Sequence, residues 1–180
     1  MKLFVMRHGI TEWNEKGITQ GRSNNQLSIN GIARTEIVAN QFKDTKFDAI
    51  VCSPLKRTLQ TTKIMNSYHN VKIFEDKNLT EIDQGVFSGR KKSELSKEEL
   101  ELKLAHSKEC GMESYDEVYA RVKNFVKTLK TKYNYENLLV VTHNCIATAI
   151  QKILNSETVN FNDRNSLNIF KNSEIKEFEI

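Results

Sequence analysis

The chain of 180 residues is long enough for one domain with a substantial core and short for two. Apolar residues make up 38% and charged residues 28%, with no repeat or low-complexity block, an ordinary globular composition for which disorder is not the default reading. The net charge of +4 (pI ≈ 8.9) comes from lysines that alternate with glutamates, as in KKSELSKEELELK (91–103), so it reads as a solvated helix face rather than a nucleic-acid patch; the surplus still suits an anionic small-molecule substrate.

The first predicted element is LFVM (3–6), a run too short for a signal sequence or a membrane span. With AIVC (49–52) and NLLVVT (137–142) it makes a set of unbroken apolar runs, the pattern of strands buried on both faces of a parallel sheet. After the second run, Ser53-Pro54 predicts a helix with Ser53 as N-cap and Pro54 at the first helical position, carrying Arg57 in its first turn. Tyr115, Val118, Tyr119, Val122, Val126 and Leu129 recur three or four apart and predict a long helix. Ile146, Ala147, Ile150, Ile153 and Leu154 predict another, with Asn144 placed to cap it. SLNIFK (166–171) and EIKEFEI (174–180), split by Asn172-Ser173, predict a C-terminal β-hairpin. The expected fold is a three-layer α/β/α sandwich, a mostly parallel central sheet flanked by helices, forming a single domain over residues 1–180. Cys52, Cys110 and Cys145 are odd in number and lack CxxC spacing, which predicts reduced thiols and a cytoplasmic protein.

Ligands of open α/β sheets sit beyond the carboxyl ends of the strands, and each of the three runs ends there in conspicuous polar groups. Arg7-His8 follow the first, Ser53 to Arg57 the second, His143 the third. Two histidines and two arginines are therefore expected to converge on one crevice. Arginine forks match phosphate oxygens and helix N-termini favour anions, so the crevice is expected to bind phosphate.

Other phosphate chemistries fit less well. A cysteine-nucleophile loop needs five residues between cysteine and arginine to cradle the phosphate, whereas Cys52 and Arg57 enclose four; Cys52 reads as a core residue. There is no GxxxxGK[ST] loop, and arginines occupy the places where a two-metal site would want carboxylates. Histidine is left as the nucleophile, a neutral imidazole attacking phosphorus while cations offset the charge on the phosphoryl oxygens.

The chain resembles the histidine phosphatase superfamily through MRHGITEWN (6–14), QGRSNNQLSINGIAR (20–34), CSPLKRTLQT (52–61), LTEIDQGVFSG (79–89), ESYDEVYARV (113–122) and VVTHN (140–144). The resemblance implies that His8 becomes the phosphohistidine and that Arg7, Arg57 and His143 hold the phosphoryl group. It adds Asn14 as a further donor, Gln20 and Gly21 on the substrate side, and Glu81 as the general acid. Two departures stand out. Asn144 and Cys145 follow His143 where the family commonly has glycine, so that the Asn144 side chain either donates to the phosphate or crowds it. SNNQLS (23–28) replaces an acidic-proline-leucine-threonine pattern.

The resemblance further implies a metal-independent phosphomonoester hydrolase with no cofactor, acting on a small phosphorylated substrate and not on nucleic acid or membrane. Family mutases carry a long insertion after the general-acid segment, and the short span from Glu81 to Glu113 favours the compact phosphatase branch. Mutase-type phosphoryl transfer and non-catalytic binding of a phosphorylated ligand are the alternatives. Arg22, Arg90, Lys91 and Lys92 either draw a second anionic group to the rim or serve solubility. The sequence sets neither the substrate nor an oligomeric state.

Overall fold

The computed structural model describes residues 1–157 and 170–180. Five strands form one sheet: β1 (Lys2–Arg7), β2 (Ala49–Cys52), β3 (Lys72–Glu75), β4 (Asn137–Thr142) and β5 (Ile175–Glu179). Their order is β3-β2-β4-β1-β5. All neighbours run parallel except β5, which lies antiparallel on β1. The helices are α1 (Glu12–Glu15), α2 (Ile29–Gln41), α3 (Lys56–Asn66), α4 (Lys97–Leu104), α5 (Tyr115–Lys132) and α6 (Asn144–Leu154). The expected layered α/β architecture is present, and AIVC and NLLVVT are β2 and β4 residue for residue.

Alternation along the central strands divides the core. Leu3, Val5, Val51, Leu138 and Val140 face α5 and α6, meeting Val118, Val122, Phe125, Ile146 and Ile150. Phe4, Met6, Ile50, Leu139 and Val141 face the opposite layer, with Ala39 of α2 and Met65 of α3. Each such side chain, fully buried, contributes ~1.5–3 kcal/mol relative to exposure, which is why both faces of these strands had to be apolar. Cys52 belongs to this core, as expected, and burial pushes its thiol up to about 11.

Several local expectations are corrected. The helix after β2 begins at Lys56, with Leu55 extended at the N-cap, so Ser53 caps nothing, although Arg57 does fall in the first turn. The first helical N–H, that of Lys56, is met by Asn24 Oδ1 at 2.8 Å, a partner supplied by a distant loop. Asn144 is likewise the first residue of α6 and His143 its N-cap. Neither α2 nor β3 was among the predicted elements. The buried face of α2 is Gly31, Thr35 and Ala39, too small and polar to show as an apolar stripe, and β3 is an edge strand with exposed Lys72, Ile73 and Glu75. Of the predicted hairpin, EIKEFEI supplies β5, paired with β1, and Asn172-Ser173 is a turn. Residues 166–169 of the first arm lie outside the described residues, and Phe170 and Lys171 are in no strand.

Candidate active site

Strand register assembles the centre. Arg7 pairs with Thr142, so His8 and His143 leave neighbouring parallel strands side by side, their rings 5.2 Å apart. Cys52 pairs with Val141, which brings Ser53 to the same level. The turn just after β1 is tightly enclosed: a Cβ on Gly9 would lie 2.4 Å from Thr35 Oγ1 of α2. From the far side, Asn172 Nδ2 donates to the carbonyls of His8 (3.0 Å) and Gly9 (3.3 Å), so the C-terminal turn braces the backbone that carries the His8 ring.

Hydrogen bonds set the protonation of both rings. His8 Nδ1 lies 2.7 Å from the Gly9 carbonyl, which only accepts, so the proton sits on Nδ1 and the lone pair on Nε2. Arg57 Nε–H is shared between His8 Nε2 and His143 Nδ1, both at 3.2 Å. The rest of the Arg57 fork is pinned, Nη1 to the Ser23 carbonyl (2.7 Å) and Nη2 to that of Gly21 (2.8 Å). His143 Nε2 pairs with Ser53 Oγ at 2.8 Å.

His8 and His143 are buried, and desolvation followed by the charge of Arg57 holds both imidazoles well below their usual range, hence neutral. Burial also lowers Arg7, and Arg57 to about 10, which leaves both guanidiniums charged at neutral pH. Arg7 donates from Nη1 to the Phe170 carbonyl at 2.7 Å, while its Nε is buried with no partner among the described residues. An unsatisfied guanidinium donor beside a second guanidinium is a place for an anion.

These groups open into a cavity of about 300 Å³, whose wall includes Arg7, His8, Arg57, Asn14, Gln20 and Gly21. Asn14 spends its amide oxygen on Thr11 N and Oγ1, leaving its NH₂ end as the donor on the cavity side. Glu81 and Asn144 line the same cavity. Burial raises the Glu81 carboxyl, with the Ile82 N–H and the charges of Arg57, Arg7 and Arg121 pulling the other way. Asn144 Oδ1 accepts from Phe170 N at 3.3 Å. Every residue expected at the site is thus in the wall except His143, which is buried behind it and reaches it through Arg57.

The expected rim cations behave differently. Arg22 pairs with Asp83 and Glu113, Arg90 with Glu99 and Lys91 with Glu94; of the four, only Lys92 joins the cavity wall. The lysine-rich run is not wholly a solvated face either, because Lys103 is buried in that wall. Sequence reasoning also missed Ser53 as the partner of His143, along with His106 and the bracing Asn172. The SxxxR spacing after β2 was visible, but nothing local marked Lys103 or His106. Among the described residues no group of three or more His, Cys, Asp and Glu side chains is arranged to hold a metal ion.

A mostly parallel sheet whose carboxyl end gathers two neutral histidines, two arginines and a carboxyl defines an α/β protein with a cationic, histidine-centred crevice. The chain belongs to the histidine phosphatase superfamily (branch 1), whose sequence profile it matches over residues 3–179. It is 31% identical over 149 residues to phosphoserine phosphatase 1 of Hydrogenobacter thermophilus, covering 79% of this chain and 71% of that protein. The structure of the α-ribazole phosphatase from Shigella flexneri superposes with a TM-score of 0.87 at 23% identity, covering 100% of this chain and 91% of that one. A phosphoglycerate mutase from Bacillus anthracis superposes at 0.79 with 20% identity, covering 98% and 86%. At such identities the two structures share the fold.

Proposed function

We propose that the protein is a metal-independent phosphomonoester hydrolase working through a phosphohistidine, with His8 as nucleophile. The observation that carries this reading is the single Arg57 N–H held between two neutral imidazoles beside a raised carboxyl. His8 Nε2 attacks phosphorus as the bond from phosphorus to the ester oxygen breaks; Glu81 gives that oxygen its proton. Glu81, now a carboxylate, takes a proton from water, the oxygen of which attacks the phosphohistidine, releasing phosphate and neutral His8. Arg7 and Arg57 offset the phosphoryl charge, and the Asn14 amide adds a donor.

His143 acts through Arg57 and is itself held by Ser53. With Arg57 donating to Nδ1, the His143 proton lies on Nε2 and is given to Ser53 Oγ. The neutral ring, its Nε2–H anchored on Ser53, thus keeps its Nδ1 lone pair on the Arg57 Nε–H and holds that guanidinium at the mouth of the site.

The working unit in this reading is the single domain 1–180, a cytoplasmic enzyme whose partner is a small phosphorylated metabolite and not nucleic acid. The histidine phosphatase relatives named as phosphatases support hydrolysis over isomerisation. The test is rapid mixing with an aryl phosphate in the presence of chelator. Wild type is expected to release phosphate and to trap an acid-labile phosphoprotein, and His8→Ala to do neither while keeping its fold. Turnover by folded His8→Ala, or collapse of the wild-type rate with chelator, would refute it.

A further inference from the structure

Glu81, the acid of the proposed mechanism, stands where no regular element holds it, since residues 81–83 are in neither helix nor strand. Its carboxyl takes the next N–H along the chain, that of Ile82, onto Oε1 at 3.0 Å. Its place in the cavity is therefore set by whatever fixes the short stretch that carries it. The anchor is Glu113. An isolated bridge between Gln84 and Met112 brings the two segments together. Beside that bridge Glu113 and Asp83 exchange bonds, Glu113 N donating to the Asp83 carbonyl (3.2 Å) and Asp83 N to Glu113 Oε2 (3.3 Å).

Glu113 is itself locked from both sides. Arg121 of α5 grips the carboxylate with two prongs, Nε to Oε1 at 2.8 Å and Nη2 to Oε2 at 3.0 Å. Its remaining Nη1 donates to the Asn78 carbonyl, just upstream of the same stretch. Arg22 closes the other side, with Nη2 3.0 Å from Glu113 Oε2 and Nε donating to the Glu81 carbonyl at 3.2 Å. The neighbours of Arg22, Gly21 and Ser23, accept from Arg57, so one loop touches both the guanidinium at the nucleophile and the backbone of the acid. The Glu113 side chain is 11% exposed, which shields its paired charge from the solvent screening that weakens surface ion pairs. Glu113, Arg121 and Arg22 all stand outside the cavity wall formed by the described residues, so their effect on a substrate has to run through Glu81.

We infer that Glu113 is a positioning residue for the general acid: clamped between Arg121 and Arg22, it holds the 81–83 stretch so that the Glu81 carboxyl meets the leaving oxygen. The inference rests on the hydrolase reading and extends it to residues that touch no substrate. It also gives Arg22, a rim cation by sequence, a task at the acid.

The test compares an ester that needs the proton, glycerol phosphate, with one that does not, para-nitrophenyl phosphate. Glu113→Gln keeps the size of the side chain and removes its charge. It is expected to slow kcat on glycerol phosphate by about tenfold, part of the ~10²–10⁴ that a general acid contributes, and to leave the aryl ester almost untouched. Arg22→Gln, at a more exposed position, is expected to show the same split at about threefold. Glu81→Gln combined with Glu113→Gln is expected to be no slower than Glu81→Gln alone, because the two act in one chain. Equal losses on both esters, no loss on either, or full additivity in the double variant overturns the inference. If Glu81→Gln itself shows no split, the acid assignment of the hydrolase reading fails, and the inference with it. Should wild type turn over neither ester, the hydrolase reading falls and the carboxyl carbon NMR resonance of Glu81, identified by its loss in Glu81→Gln, judges the clamp alone. A resonance moved in Glu113→Gln or Arg22→Gln supports the positioning, and one unmoved in both overturns it. Should Glu113→Gln fail to fold, Arg22→Gln decides by the same split.

Discussion

Replacing Arg57 by alanine removes a guanidinium that is 1% exposed and makes four hydrogen bonds in the resting site. Two of these, to the carbonyls of Gly21 and Ser23, are structural; leaving a buried acceptor without its donor costs ~1–3 kcal/mol each. Relief from burying a cation offsets part of this, so a net loss of ~2 kcal/mol is expected, within the 5–15 kcal/mol of a typical domain. The other two bonds come from one N–H aimed into the site. Loss of one preorganised donor to a developing anion raises the barrier by ~2.7–4 kcal/mol, so kcat should fall by ~10²–10³.

A second signature has a definite sign. Burial, then Arg57, then Arg7 depress His8; without Arg57 the ring titrates at higher pH, and the neutral nucleophile is lost sooner on acidification. The acid limb of kcat/KM should therefore move to higher pH in Arg57→Ala. The assay is steady-state hydrolysis of an aryl phosphate across pH, with urea unfolding run alongside to correct for folded fraction. A folded variant with near-wild-type kcat and an unmoved acid limb would remove Arg57 from the phosphate pocket.

Glu81→Gln is expected to slow esters with poor leaving groups far more than an aryl phosphate, since only the former need a proton; equal losses on both would assign Glu81 a structural role. Stability should fall below pH 6.5. All four histidines have folded-state values lowered by burial, so the unfolded chain binds protons first as pH drops; His8 and His143 together remove at most ~3 kcal/mol by pH 5.5, measured by urea titration, and their double replacement by asparagine should flatten the curve. Gly31→Ala is expected to destabilise by ~1–3 kcal/mol, because the new Cβ would lie 1.9 Å from the Ile10 carbonyl and push α2 off the loop that carries His8; an unchanged Tm would disprove that close packing.

Periodicity alone marked β1, β2, β4, α5 and α6, because burial on both faces of these strands demands unbroken apolar runs and the two helices pack apolar stripes. The histidine-arginine half of the site was legible for a related reason: the runs end at Arg7-His8, Ser53 to Arg57 and His143, and parallel strands deliver their ends to one edge. Glu81 was readable only through the family resemblance, since no local pattern separates it from other glutamates. What α2 buries was hidden, its close-packed face being built of Gly31, Thr35 and Ala39.

The remaining decisions belong to tertiary structure because they join residues far apart in the chain. Ser53 looked like a helix cap and instead meets His143, ninety positions on. Asn172 looked like a turn residue and holds the His8 carbonyl across 164 positions. Lys103 read as one more solvated lysine, yet the fold turns it inward to Thr19, 84 positions away, while Arg22, Arg90 and Lys91 are drawn into ion pairs. The sequence by itself determined the layered sheet and the histidine-arginine chemistry at its edge, since both follow from local pattern. Which cations line the cavity depended on pairings that form only when the chain has closed.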